Sequence, residues 1–240
     1  RNDARGRSRH HGGALMWWLL SGLAWSGPWP DVAGSLDPGA SKDGAKDVAL
    51  VIAIEDYDHA RDLPGAAANG KAWVKWLQDT RGVPVVKTLF NDQATREEIE
   101  IAAKGLASRA PAGGRVWVVY IGHGAPSKNG DSGMLVGWDA RQTAISLEAR
   151  SVRLTELEAW LEGAQKEVVL VQDACFSGKT EGGDLVDAPL APMKVASTAL
   201  GPAWTVLWAA GNDEYAGPLN DHSRPAFSYL ALGGLRGWAD

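Results

Sequence analysis

Residues 168–178 constrain the fold of this chain more than any other part of the sequence. The segment begins with an apolar run rich in β-branched residues and ends in Asp173, Cys175 and a Ser-Gly pair. A short, continuous apolar run is typical of a strand buried on both faces, as in a parallel sheet. Reactive residues at the carboxyl end of such a strand lie where open α/β sheets bind ligands. We therefore expect an α/β fold whose functional site includes Cys175, the single cysteine of the chain.

Similar apolar runs recur along the chain, and segments with helical periodicity separate them. Strands are expected over residues 48–54, 85–90, 115–121, 166–172 and 203–210. Helices are expected around residues 68–80, 95–106, 154–161 and 227–235, and a turn-rich segment at 125–151 favours a hairpin. Alternation of strands and helices predicts a largely parallel sheet with right-handed crossovers. The expected fold is a three-layer α/β sandwich, with helices on both faces of a mainly parallel central sheet.

The ends of the chain indicate its domain organisation. Residues 1–26 combine four arginines with a short apolar stretch, which is typical of a secretory signal. A leader without an export role is the alternative, and the stretch is too short for a membrane span, which needs about 20 apolar residues. Residues 27–46 are interpreted as a linker and residues 47–240 as the folded domain. The expected location is periplasmic or extracellular if the leader directs export, and cytoplasmic otherwise.

Composition narrows the expected partners. The net charge of −5 gives no reason to expect nucleic acid or an anionic membrane as a partner. A single cysteine excludes an internal disulfide framework and a zinc site with several thiolates. Twelve tryptophans are spread over the whole chain, so we interpret them mostly as packing residues. We expect no cofactor and no resident metal, and the oligomeric state is left open.

Cys175 and His123 have the chemistry of a nucleophile and its base. His123 follows the apolar run at 115–121 and lies between two glycines. A thiol near pKa 8.5 is mostly protonated at neutral pH, and a neighbouring imidazole can accept its proton and later protonate the leaving amine. The backbone amides of Gly124 and Cys175 are candidate donors to an oxyanion. Taken singly, each residue is more often a buried structural residue, but their joint position after two strands favours catalysis.

Two motifs resemble those of the caspase-like cysteine peptidases, in particular the metacaspase and bacterial orthocaspase branch. They are Tyr120-Ile-Gly-His123-Gly and Asp173-Ala-Cys175-Phe-Ser-Gly178, and the similarity extends over roughly residues 47–240. Cys175 follows His123 by 52 positions, close to the spacing of about 50 residues in caspases. The resemblance implies a caspase-like fold, a His123–Cys175 dyad and a thioacyl intermediate in the cleavage of a protein or peptide. Such proteins usually continue after the segment that ends here, so we expect further sequence beyond Asp240.

The resemblance also implies roles in substrate recognition. Asp173 occupies the position of a glutamine in the S1 pocket of caspases, and an acid there predicts cleavage after Arg or Lys. Metacaspases usually add a second acid in an Asn-Asp pair after the first strand, where this chain has Asn69 followed by Gly70. Asn69 retains the ability to hydrogen-bond a cation, and Asp56 or Asp58 is a candidate for the missing charge.

Other interpretations stay open. A catalytically silent scaffold or regulatory module with the same fold is the main alternative, and another thiol hydrolase or a legumain-like ligase is a third. Some relatives are activated by calcium, but residues 56–59 form no complete calcium motif and are interpreted as a solvated loop. Residues 130–133 mimic a serine-peptidase motif without the all-β context of those enzymes. Lys179 and Lys194 are candidate self-cleavage sites if the substrate preference is basic.

Overall fold

The computed structural model describes residues 29–34, 42–162, 167–174, 179–180, 183–184, 200–209 and 216–238. By its internal contacts the chain divides into two compact units, Arg1–Asp31 and Val32–Asp240. Every element below belongs to the second unit. The predicted leader, Cys175 and Lys194 lie outside the described residues.

The elements alternate along the chain largely as the sequence predicts. In chain order the strands are β1 (Val48–Ala53), β2 (Val85–Phe90), β3 (Arg115–Ile121), β4 (Gly124–Pro126), β5 (Gly133–Val136), β6 (Ser151–Arg153), β7 (Glu167–Asp173), β8 (Lys179–Thr180), β9 (Gly183–Asp184) and β10 (Trp204–Trp208). The α-helices are α1 (Ala66–Lys75), α2 (Arg96–Arg109), α3 (Ala144–Arg150), α4 (Leu154–Leu161) and α5 (Ala226–Gly233). π-Helical turns extend α1 over Trp76–Thr80 and α5 over Gly234–Trp238.

Five strands form a central parallel sheet in the order β10-β7-β3-β1-β2. All residues of β1 are buried, as are all but the first residue of β3 and of β7. These strands are continuous apolar runs because helices cover both of their faces. Since the strands are parallel, their carboxyl ends meet at one edge of the sheet.

Side-chain alternation gives the central sheet two faces with different partners. Leu50 and Leu170 belong to a core cluster that includes residues of α2 and α4. Val51 and Val171, one position along each strand, point to the opposite face, where α1 and α5 contact the sheet. Asp173 follows Val171 by two residues and therefore points to the face covered by α1 and α5.

A smaller antiparallel sheet follows β3 in the chain. It has the order β4-β5-β6. Leu135 of β5, Val152 of β6 and Leu147 of α3 belong to the same core cluster as Leu170, so this sheet and α3 lie on the face covered by α2 and α4. Strands β8 and β9 form a separate two-stranded pair.

Several tryptophans pack as the composition suggested. The rings of Trp73 and Trp76, and those of Trp76 and Trp117, meet edge to face with centroids 5.6 Å apart in both pairs. The guanidinium of Arg81 lies 5.8 Å from the centre of the Trp76 ring and 5.6 Å from that of Trp117. This aromatic group packs α1 and its π-helical turn against the sheet.

The predicted fold class is confirmed, since helices cover both faces of a parallel five-stranded sheet. The predicted strand bounds agree with the structure to within two residues, and the predicted hairpin corresponds to β4 and β5. Helix α3, at the end of the same segment, was not predicted. The domain bounds at 26 and 46 stay a prediction. In the described parts of the chain, no helix has both the length and the apolar character needed to cross a membrane.

Gly70 and Gly105 are helical glycines with opposite surroundings. A Cβ at Gly70 in α1 would lie 2.7 Å from the Ala53 Cβ and 3.0 Å from Phe90, whereas one at Gly105 in α2 would meet nothing within 4 Å. We expect Gly70→Ala to destabilise the fold by about 1–3 kcal/mol through overpacking. Gly105→Ala is the matched control and should stabilise it by about 0.5–1 kcal/mol through helix propensity. Denaturant unfolding measures both effects, and equal effects would contradict the close contact of α1 with the sheet.

Candidate active site

The pairing of β3 with β7 defines the centre of the candidate site. Ile121 lies opposite Asp173, and the Gly122 amide donates to the Asp173 carbonyl at 3.2 Å. His123 follows Ile121 by two residues, and Cys175 follows Asp173 by two residues. The register therefore puts His123 beside the strand end that leads into Cys175, which itself lies outside the described residues.

His123 is buried and held from three sides. Its side-chain Nε2 lies 2.6 Å from the carbonyl oxygen of Arg61. Its backbone amide donates to the Tyr57 hydroxyl at 2.8 Å, and the two rings lie 4.8 Å apart with an interplanar angle of 32°. Its carbonyl accepts a hydrogen bond from the Tyr120 hydroxyl at 2.7 Å. These contacts fix both the backbone and the ring of His123.

The surroundings of His123 favour a neutral imidazole with a defined tautomer. Burial lowers the pKa of His123 from 6.5, and the hydrogen bond to the Arg61 carbonyl opposes this only in part. Because a carbonyl oxygen can only accept, Nε2 must carry the ring proton. Nδ1 then has a free lone pair and can act as a base.

Two buried tyrosines support the turn that carries His123. The hydroxyls of Tyr57 and Tyr120 hydrogen-bond each other, and burial raises the pKa of Tyr57, so its hydroxyl stays protonated at neutral pH. The Tyr120 hydroxyl also lies 2.9 Å from the Val136 carbonyl oxygen. A Cβ at Gly122 would lie 2.7 Å from both hydroxyl oxygens. The glycine before His123 is therefore required by this tyrosine pair.

Asp173 is the buried carboxyl group of the site. Only 3% of its surface is exposed, and its Oδ2 accepts from the Ser228 amide at 2.7 Å. Burial raises the pKa of Asp173 to about 6, although hydrogen bonds from the hydroxyl and the amide of Ser228 lower it. In the described part of the chain no cation pairs with this carboxyl. Among the described residues it is therefore a buried acid with a raised pKa and no partner cation.

Asn69 is linked to Asp173 by hydrogen bonds through the start of helix α5. Its Nδ2 donates to the Pro225 carbonyl at 2.9 Å and to the Ser228 Oγ at 2.8 Å. Its Oδ1 is buried and, among the described residues, has no hydrogen-bond partner. Asn69 therefore holds the serine that binds Asp173 and leaves one acceptor atom unused.

The structure also gives a reason for the absence of the second acid that the resemblance leads one to expect. A carboxylate at Asn69 could donate neither of the two hydrogen bonds to α5. At the neighbouring position, Gly70, a Cβ would lie 2.7 Å from the Ala53 Cβ. Neither position accepts an acidic side chain without disturbing the packing of α1.

Asp56 and Asp58 lie at the carboxyl end of β1, apart from the cluster around Asp173. Asp56 is exposed, and its Oδ2 accepts from the Asn91 side chain at 3.0 Å. Asp58 pairs with His59 at 3.0 Å. Within the described ranges, neither carboxylate contacts Asp173, and no group of three or more His, Cys, Asp or Glu side chains is arranged to hold a metal ion.

Gly124 and the turn at residues 130–133, which resembles a serine-peptidase motif, both belong to the small antiparallel sheet or its connecting turn. Gly124 begins β4, is buried and pairs with Leu135 of β5; its role as an oxyanion donor stays a prediction. Ser132 is 2% exposed, and its hydroxyl donates to the Gly133 carbonyl at 3.0 Å. This hydrogen bond engages the serine in the turn itself.

Three contributors to the site had no role in the sequence-based prediction: Tyr57, Arg61 and Ser228. Arg61 acts through its backbone carbonyl, which no side-chain pattern reveals. Tyr57 is 66 positions from His123, and Ser228 is 55 positions from Asp173. Contacts over such separations depend on tertiary packing.

Comparison with known proteins identifies the family. A family model described as the caspase domain matches residues 46–221. The chain therefore belongs to the caspase-domain family, whose members are cysteine peptidases.

A solved caspase structure agrees with the fold. Caspase-1 from Spodoptera frugiperda is 15% identical, with a TM-score of 0.53, and the match covers 82% of this chain and 71% of that one. A structural-genomics protein from Geobacter sulfurreducens is 20% identical, with a TM-score of 0.44. That match covers 54% of this chain and 50% of the Geobacter chain. A search of curated proteins found no match.

The protonation state of His123 can be tested without any substrate. We expect long-range ¹H–¹⁵N NMR to show the Nε2-protonated tautomer at neutral pH and a midpoint below 6.5, because burial lowers the pKa. The His123→Ala variant identifies the signal by its loss. An Nδ1-protonated ring, or a midpoint above 6.5, would contradict the arrangement around Arg61.

Proposed function

We propose that this protein is a cysteine endopeptidase of the metacaspase type, which uses His123 and Cys175 to cleave after Arg or Lys. The observation that carries the proposal is the neutral, buried imidazole of His123, held through Nε2 beside the strand that leads into Cys175. A scaffold without activity has no need of a base oriented in this way. Membership of the caspase-domain family supports the same reaction class.

The proposed reaction begins with transfer of the thiol proton of Cys175 to Nδ1 of His123. The thiolate attacks the substrate carbonyl carbon, and the amides of Gly124 and Cys175 stabilise the resulting oxyanion. The imidazolium then gives its Nδ1 proton to the leaving nitrogen as the C–N bond breaks, which leaves a thioester. Throughout, the Arg61 carbonyl accepts from Nε2–H and stabilises the transient positive charge.

Hydrolysis of the thioester completes the cycle. Nδ1 takes a proton from water, the resulting hydroxide attacks the thioester carbonyl, and the sulfur leaves as thiolate and regains a proton from the imidazolium. The lowered pKa of His123 suits this role, because the ring is neutral at the start of each step in which it accepts a proton.

The preference for a basic residue rests on the cluster around Asp173. An ionised carboxylate buried among neutral groups attracts a cation strongly, and Arg or Lys of a substrate would supply the missing charge. The unused Oδ1 of Asn69 is a second acceptor on the same face of the sheet. A guanidinium has five donors and can bond both groups, so we expect Arg to be preferred over Lys.

Loss of either dyad residue should abolish turnover. We expect Cys175→Ala and His123→Ala to lower kcat/KM for a fluorogenic peptide with Arg at P1 by at least about a thousandfold. Removing a residue of the catalytic triad from a serine peptidase causes losses of this order or larger. The Ser132→Ala variant is the control and should keep its activity. Turnover that survives Cys175→Ala would overturn the proposal, and no turnover by the wild-type protein would favour the silent scaffold.

Substrate preference should depend on pH through Asp173. Citrulline is a neutral analogue of arginine, so the ratio of kcat/KM for Arg and citrulline peptides isolates the effect of the charge. Because burial raises the pKa of Asp173 to about 6, the ratio should rise as the pH increases through this value and the carboxylate forms.

The Asp173→Asn variant is the test of this assignment. We expect it to lose at least about a hundredfold in kcat/KM for the Arg peptide, since an unpaired buried cation costs several kcal/mol. The citrulline peptide should be affected much less, and the pH dependence of the ratio should disappear. A preference for Arg that persists in this variant would assign the recognition of P1 to another group.

A further inference from the structure

A polar cleft opens near the carboxyl edge of the central sheet. It includes neither His123 and Cys175 nor the Asp173 cluster, which consists of Asp173, Asn69 and Ser228. Its volume is about 520 Å³, and its lining residues are Asp58, His59, Asp139, Arg141, Ser146 and Arg150. They come from the loop after β1, the segment after β5 and helix α3. None of these residues has a part in the reaction proposed above.

The charges of this cleft are paired except for one. Asp58 pairs with His59, and Asp139 pairs with Arg150. Arg141 is exposed, and its side chain has no ion-pair partner within the described ranges, while its backbone amide donates to the Ser146 hydroxyl at 2.9 Å. The Oδ1 atom of Asp139 is buried and likewise lacks a partner among those residues. Among the described residues, the cleft therefore offers one exposed cation without a partner, Arg141.

The cleft lies close to the base. The loop that carries Asp58 is fixed to the segment after β5, since the Asp58 amide donates to the Trp138 carbonyl at 3.2 Å and the Trp138 indole donates to the Asp56 carbonyl at 2.8 Å. Asp58 is three residues before Arg61, whose carbonyl contacts His123. Three residues span at most about 11 Å. This distance corresponds to about two or three residues of an extended peptide.

The cleft and the Asp173 cluster lie on opposite sides of the central sheet. Asp173 points to the face covered by α1 and α5. Ala140 and Leu147, which adjoin the cleft residues in sequence, belong to the core on the face covered by α2 and α4. The carboxyl edge that carries His123 lies between the two. A peptide with its P1 residue in the Asp173 cluster would extend across this edge toward the cleft.

We infer that this cleft is the subsite for the leaving-group side of the substrate and that Arg141 selects an acidic residue two or three positions after the cleaved bond. The inference rests on the proposed peptidase activity. Because His123 must protonate the leaving nitrogen, the departing segment starts beside the base, on the side away from the P1 residue. The exposed guanidinium of Arg141 fits a carboxylate on that segment.

Internally quenched peptides test the inference. They carry Arg at P1 and a single Glu, Gln or Lys at each of the four positions after the cleaved bond. We expect Glu to be preferred over Gln by about two- to fivefold at the second or third position, the range of an exposed ion pair. The Arg141→Glu variant should reverse this preference in favour of Lys, and Arg141→Gln should remove it.

Two controls separate this inference from the peptidase proposal. An Arg peptide with a coumarin leaving group has no residues after the cleaved bond, so both Arg141 variants should cleave it as the wild type does. Arg109→Glu reverses an exposed charge at the far end of α2 and should leave the preference for Glu unchanged. A preference for Glu that is absent, or that survives Arg141→Glu, would overturn the subsite while the coumarin peptide is still cleaved. No cleavage of any substrate by the wild type would overturn both proposals.

Discussion

The parallel pairing of β3 with β7 is the constraint on which the rest of the site depends. It sets Ile121 opposite Asp173 and so brings the segments that follow both strands to the same edge. Hydrogen bonds of the ladder fix this register along seven pairs of residues, and a shift by one residue would turn buried side chains to the wrong face of the sheet. The spacing of 52 positions between His123 and Cys175 is the same as the offset of the strand pairing. The motif spacing therefore has a direct structural origin.

His123, the proposed base, is positioned by buried polar groups from distant parts of the chain. Burying the His123 amide, its ring and two tyrosine hydroxyls is unfavourable unless each finds a partner. The observed hydrogen bonds satisfy them through Tyr57, Tyr120 and the Arg61 carbonyl. Once satisfied, such a network favours one conformation. The same burial lowers the pKa of His123, so a single structural feature both orients the ring and favours its neutral form.

Asp173, the acid of the candidate P1 site, is a buried charge whose partner cation is absent from the described residues. Asp173 is buried beside hydrogen-bond donors but without a cation among the described residues, and its pKa rises to about 6. Asn69, at the position where an acid was expected, keeps its donors for α5 and so stabilises the serine that binds Asp173. The cluster thus has one ionisable carboxyl and one neutral acceptor, and under the proposed function a basic substrate residue would supply the missing cation.

The sequence by itself determined the fold class, the five strands of the central sheet and the four helices α1, α2, α4 and α5, because continuous apolar runs and helical periodicity report burial directly. Asp173 was also identified from sequence as a candidate, through the resemblance to caspase-like peptidases. Only the tertiary structure decided that Tyr57, the Arg61 carbonyl and Ser228 complete the surroundings of His123 and Asp173. The tertiary structure also shows that Asp56 lies apart from Asp173, because strand β3 lies between β1 and β7 in the sheet. These contacts join residues 55 or more positions apart or use backbone atoms, and local sequence patterns carry no information about either.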